Sequence, residues 1–153
     1  MRFVGKFVHP RNVSLVIVVA LLLSNVACLS ADEWFKKADM PTARALFDAA
    51  ALDGKIYAVG GMGNNFGLLY ETMEEYDPFS DEWTKKSDMP RTRVGHSLAV
   101  VYGKIFVIGG HSQQDTLPVI DVYDPQNDKW LEEIEVPNPR SCFASVVTDD
   151  KFI

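Results

Sequence analysis

Three stretches of the chain fall into one register, and nothing else in the sequence limits its fold as tightly. They are residues 44–57 (RALFDAAALDGKIY), 93–106 (RVGHSLAVVYGKIF) and 140–153 (RSCFASVVTDDKFI). Arg recurs at 44, 93 and 140, Lys at 55, 104 and 151, and Trp at 34, 83 and 130. Gly60-Gly61 returns as Gly109-Gly110, and Tyr76-Asp77-Pro78 as Tyr123-Asp124-Pro125. Met40-Pro41 returns as Met89-Pro90 and then as Val136-Pro137. Markers repeating in one order, at intervals near 49 and then 47 residues, mean an array of similar units.

Each unit reads as four short strands. An apolar run over 45–52 ends at Asp53-Gly54, a pair that supplies the positive φ angles of a tight hairpin. The return strand, 55–60, closes on the glycine pair. A third strand near 71–77 stops at Asp77-Pro78, because proline cannot donate to a sheet ladder. The fourth contains Trp83. No sustained helical period occurs after residue 31. The expectation is an all-β protein.

A four-stranded unit of nearly 50 residues, marked by a Gly pair, a Tyr about fifteen residues on and a Trp seven after that, resembles the kelch repeat. The resemblance covers 32–153 and implies a β-propeller in which each repeat is one blade of four antiparallel strands. It gives Gly60, Gly61, Gly109 and Gly110 the task of close backbone approach. It also casts Trp34, Trp83 and Trp130, with Tyr76 and Tyr123 beside them, as apolar plates between blades. Counted from Asp32, the chain supplies an outer strand around Trp34, two full blades and the start of a third. That is an incomplete ring of about two and a half blades, where closure needs about four. The expectation is the N-terminal fragment of a longer propeller, with DDKFI an interrupted strand.

Residues 1–30 differ from the repeats at 31–153. Arg2, Lys6 and Arg11 are basic, residues 13–29 are nearly all apolar, and small residues cluster at 27–31. That order is the order of a secretory signal peptide. Two alternatives stay open. One is an uncleaved anchor, since the apolar run is at the short end of a bilayer span. The other is lipidation of Cys28, since Asn25-Val26-Ala27-Cys28 resembles a lipoprotein signal whose usual aliphatic residue is replaced by Asn25. Any of the three means an exported chain, secreted, periplasmic or at the cell surface, that meets a membrane only through this segment. Without residues 1–30 the chain keeps 12 of its 15 Lys and Arg against 21 Asp and Glu, a net charge of −9. So acidic a surface argues against nucleic acid as a partner. Cys142, the one remaining cysteine, precedes an apolar run and reads as a small buried residue.

Strand direction brings two sets of loops to one face. The first set is 41–44, 90–93 and 137–140. The second is 62–70 and 111–117, which alone accounts for the change of interval. Length variation on one face marks where repeat arrays bind. These loops carry Asn64, Asn65, Phe66, His111, Ser112, Gln113, Gln114 and Asp115, a mix of amides, hydroxyl, ring and charge able to hydrogen-bond a protein or glycan ligand. Arg44, Arg93 and Arg140 have two readings: a ring of guanidinium groups for an acidic ligand, or braces that tie each loop to backbone carbonyls.

Other chemistry is suggested and then fails. Gly95-His96-Ser97-Leu98-Ala99 resembles a hydrolase nucleophile elbow, but a strand follows it where the elbow needs a helix. The Gly-rich run 60–67 lacks the Lys-Ser/Thr of a phosphate loop. His96 and His111 have no ligand at metal-site spacing, so neither metal nor cofactor is expected. Propellers resembling this one also include galactose oxidase and sialic acid epimerases, so a propeller enzyme and a structural segment of a surface protein stand beside the binding module as alternatives.

Overall fold

The computed structural model describes residues 34–64, 67–148 and 151–152. The chain divides into two compact units, Met1–Lys36 and Lys37–Ile153, and every strand belongs to the second. The signal and lipidation readings, including Cys28, lie outside the described residues. Among the described residues no helix is long and apolar enough to cross a membrane.

Two four-stranded antiparallel sheets follow one another. The first contains β1 (Asp48–Leu52), β2 (Lys55–Val59), β3 (Met73–Asp77) and β4 (Glu82–Lys85), in that spatial order. The second repeats it with β5 (Ser97–Val101), β6 (Lys104–Ile108), β7 (Val119–Asp124) and β8 (Lys129–Glu135). A two-stranded hairpin, β9 (Val147–Thr148) and β10 (Lys151–Phe152), begins a third unit. The expected all-β blades are therefore present: two complete and one begun.

Hairpin chemistry sets the register. Asp53 and Gly54 take φ of 50° and 76°, and Tyr102 and Gly103 take 49° and 69°. Two successive positive φ angles match the right-handed twist of the flanking strands. Asp48 consequently pairs with Val59, and Ser97 with Ile108. A side chain at Tyr102 occupies a left-handed position that costs roughly 1–2 kcal/mol, which the tight reversal requires.

The core lies between the sheets. Tyr57, Val59 and Met73 of the first sheet meet Ile105, Val107 and Tyr123 of the second, with Met89 inserted from the connection. The other face of the second sheet gathers Ala99, Ile108, Ile120 and Val122, against which Phe143 packs from the next unit. Alternating residues of β6 thus face opposite neighbours, so that strand is apolar on both faces.

The glycine pairs fit close to backbone on two sides. A Cβ on Gly60 would lie 2.9 Å from the Arg93 carbonyl oxygen and from the His96 ring, and one on Gly109 would lie 2.4 Å from the Arg140 carbonyl oxygen. Gly61 and Gly110 press instead on their own blade's entry loop, at Ala45 and Phe47 and at Val94 and His96. Their N–H groups donate across the joint, Gly61 to Arg93 O at 2.9 Å and Gly110 to Arg140 O at 2.8 Å. Only residues without a Cβ allow this approach at positive φ.

Trp34 departs from expectation. It is 96% exposed and lies in no strand. Trp83 and Trp130 pack because each sits on a fourth strand opposite the Tyr of the third, with ring centroids 5.0 Å from Tyr76 and 5.1 Å from Tyr123. Among the described residues, no paired strand of that kind precedes β1.

Candidate functional site

Arg44 and Arg93 enter their blades just before β1 and β5. Their side chains are fully buried, so neither guanidinium is offered to the loop face. Arg44 Nη1 donates to the carbonyls of Gly60 and Thr72, both at 2.9 Å, and Nη2 to Glu74 Oε2 at 2.7 Å. Arg93 repeats the pattern, donating to Gly109 O at 2.9 Å, Val107 O at 3.2 Å and the Asp121 carboxylate. Of the two readings, Arg44 and Arg93 are braces and form no ring of free guanidinium groups. Each ties the end of a second strand to an acid on the third, satisfying carbonyls that would otherwise be buried unpaired. Burial and Arg91 push Arg93 down to about 10, which still leaves it charged at neutral pH. Arg140 is exposed, and its backbone carbonyl accepts from Gly110.

The acids Glu74 and Asp121 were not singled out in the sequence, though each stands two residues before the repeated Tyr. A second missed pair is Asp81 and Asp128, each two residues before the repeated Trp. Tyr76 donates its hydroxyl to Asp81 at 2.5 Å, and Tyr123 to Asp128 at 2.6 Å. The preceding segment is clasped to the same carboxylate: Ala38 N–H reaches Asp81, Ser87 N–H reaches Asp128, and Trp83 and Trp130 donate their indole N–H to the carbonyls of Ala38 and Ser87. The Ala38 N–H and the Tyr76 hydroxyl hold Asp81 below the ordinary carboxylate range. Burial works against charge on Asp128, but the hydroxyl of Tyr123 and Ser87 outweigh it.

The second-to-third strand loops do come together on one face. Ala45 bridges Met62, and Val94 bridges His111, so each entry loop lies beside its own blade's long loop. Gln113 Nε2 crosses to Gly67 O at 3.0 Å and joins the two long loops. Beneath that link is a groove of about 470 Å³ lined by Met62, Leu69 and Val94 as an apolar floor and by His111, Ser112 and Gln113 as a polar rim. His111, Gln113 and Asn64 are exposed, and His111 Nδ1 lies 3.4 Å from the Thr116 hydroxyl. Asn65 and Phe66 fall outside the described residues. Among the described residues, no group of three or more His, Cys, Asp and Glu side chains is placed to hold a metal ion.

Cys142 is exposed rather than buried, a correction to the sequence expectation. It takes φ of 54° at the position held by Leu46 (51°) and Gly95 (58°) in the other units, a bend before the first strand. Backbone bonds run along these bends, from Gly95 N–H to Leu46 O at 3.0 Å and from Cys142 N–H to Gly95 O at 2.7 Å.

Known proteins share parts of this sequence and its fold. The Kelch motif matches residues 43–90 and 92–132. A stretch of 49 residues is 43% identical to Kelch-like protein 33 of Homo sapiens, covering 32% of this chain and 9% of that protein. The solved structure of YjhT matches with a TM-score of 0.71 and 23% identity over 78% of this chain and 47% of that one, a likeness of fold alone. The chain thus spans less than half the length of either. Since the motif covers more than half of it, in the blades where the Arg braces, glycine pairs and Tyr–Trp stacks recur, the chain belongs to the Kelch repeat family.

Proposed function

We propose that the protein is an exported binding module whose loop face takes a protein or glycan ligand. The observation that carries this reading is the groove joined by Gln113 and Gly67, with its apolar floor and its rim of imidazole, hydroxyl and amide groups. Such a mixture suits a ligand recognised by hydrogen bonds and one apolar contact. With Arg44 and Arg93 occupied as braces, an uncharged sugar or peptide segment fits the groove better than an acidic one. Export is supported by the basic, apolar and small-residue order of residues 1–30.

The test is to probe glycan and peptide arrays with the full chain and with a His111→Ala/Gln113→Ala double variant. Tyr102→Ala, on the opposite hairpin, serves as control. The expected result is a ligand whose affinity falls at least about ten-fold in the double variant, the cost of roughly one lost hydrogen bond. Equal binding by all three proteins, or no ligand on either array, would overturn the proposal.

A further inference from the structure

His96 occupies a position that its neighbouring units give to Phe. In the aligned repeats the residue is Phe47, His96 and Phe143. The His96 and Phe143 rings do one job, covering the first glycine of the preceding blade's pair: His96 Cε1 lies 2.9 Å from where a Cβ on Gly60 would be, and Phe143 Cε1 lies 3.4 Å from the same point on Gly109. An apolar ring suits that place, and His96 is an exception at the joint between the first and second blades.

The imidazole is 95% buried, and neither ring nitrogen completes a hydrogen bond. The charged groups facing it are Arg93, from its own entry loop, and Asp48, on β1. Asp121 on β7 pairs with Arg93 and lies 3.4 Å from Arg91, Gly60 and Gly110 bring uncharged backbone against His96, and Cys142 of the next unit shares the cavity that His96 lines. A second proton would therefore be placed in a buried joint beside a guanidinium. Burial and then Arg93 lower His96 to about 4, outweighing Asp48 and the Val59 carbonyl, which favour the charged ring.

We infer that His96 makes the joint between the first two blades acid-labile, so that a proton on its imidazole loosens this joint and leaves the next one intact. The sign follows from linkage. The open joint solvates His96 and binds a proton near the ordinary value of about 6.5, while the closed joint resists it down to about 4. The closed state is therefore fully favoured above about pH 6.5 and loses ground as pH falls through that window.

Amide hydrogen exchange on the full chain reads the two joints separately. Gly61 N–H to Arg93 O and Gly95 N–H to Leu46 O span the His96 joint. Gly110 N–H to Arg140 O and Cys142 N–H to Gly95 O span the Phe143 joint and serve as controls. Between pH 7 and pH 5, above the range in which carboxylates take up protons, protection at Gly61 and Gly95 should fall roughly twenty-fold after division by the intrinsic rate. Gly110 and Cys142 should hold constant. His96→Phe should abolish the fall, and His96→Gln, which also cannot titrate, provides the same reading if the Phe variant does not fold. Protection that falls equally at both joints, does not fall, or still falls in the variants would overturn the inference.

Discussion

A buried guanidinium is costly unless its donors are met, and Arg93 meets most of them within one blade: Nη1 and Nη2 reach two carbonyls and a carboxylate, while Nε has no partner among the described residues. Removing the side chain would leave buried Asp121 with only the longer 3.4 Å contact to Arg91 and would withdraw a donor from two carbonyls. Arg93→Ala should therefore destabilise the folded chain by about 3–5 kcal/mol, against less than about 0.5 kcal/mol for Arg140→Ala at an exposed site. Urea midpoints of the two variants test this, and similar midpoints would contradict the brace. The sequence showed that an Arg recurs in each unit but left its role open between brace and ligand. Nothing local marks Glu74 or Asp121 as its partner, because the pairing crosses 30 and 28 residues. The clasp acids Asp81 and Asp128 also recur with the period, but Asp beside a turn ordinarily reads as turn chemistry.

Strands and hairpins were the most legible level. Asp53-Gly54, the glycine pairs and the Asp-Pro stops placed the reversals, and the strands of both blades formed between them. The fourth-strand expectation failed at Trp34 because an outer strand exists only by pairing with a third strand, and sequence pattern does not reveal whether that partner is there. The depth of the glycine pairs is a further prediction. Gly109→Ala would set a Cβ 2.4 Å from the Arg140 carbonyl oxygen, whereas Gly54→Ala meets nothing within 4 Å. Both carry the left-handed penalty of roughly 1–2 kcal/mol, and only Gly109→Ala adds an overpacking cost of about 1–3 kcal/mol. Melting the two variants side by side should show the larger loss at Gly109; equal losses would mean that the backbone at the joint gives way freely.

Across the whole molecule, the two blades bury one face of each sheet against the other and leave apolar surface on the remaining faces. Leu131 and Ile134 are 47% and 44% exposed and flank Phe106 and Val122 on the second blade. On the first, Ile56, Ala58 and Trp83 line an open apolar hollow. Apolar patches of this kind promote association. The chain should sediment with an apparent mass that rises with concentration, and Ile134→Glu should reduce that rise without lowering the melting temperature. A concentration-independent monomer before substitution would refute it.

The bonds that run from Gly95 to Leu46 and from Cys142 to Gly95 connect main chain to main chain. Leu, Gly and Cys all make them through the main chain, so the bonds need no particular side chain, but the middle bend must stay small because a Cβ on Gly95 would lie 2.9 Å from Cys142 Sγ. A unit joined in this way can be copied, lost or exchanged along a gene with little matching change in its neighbour beyond the size of the residue at the bend. Ring size is then free to drift by whole repeats, and only the apolar faces and the aromatic at each glycine pair must adapt afterwards.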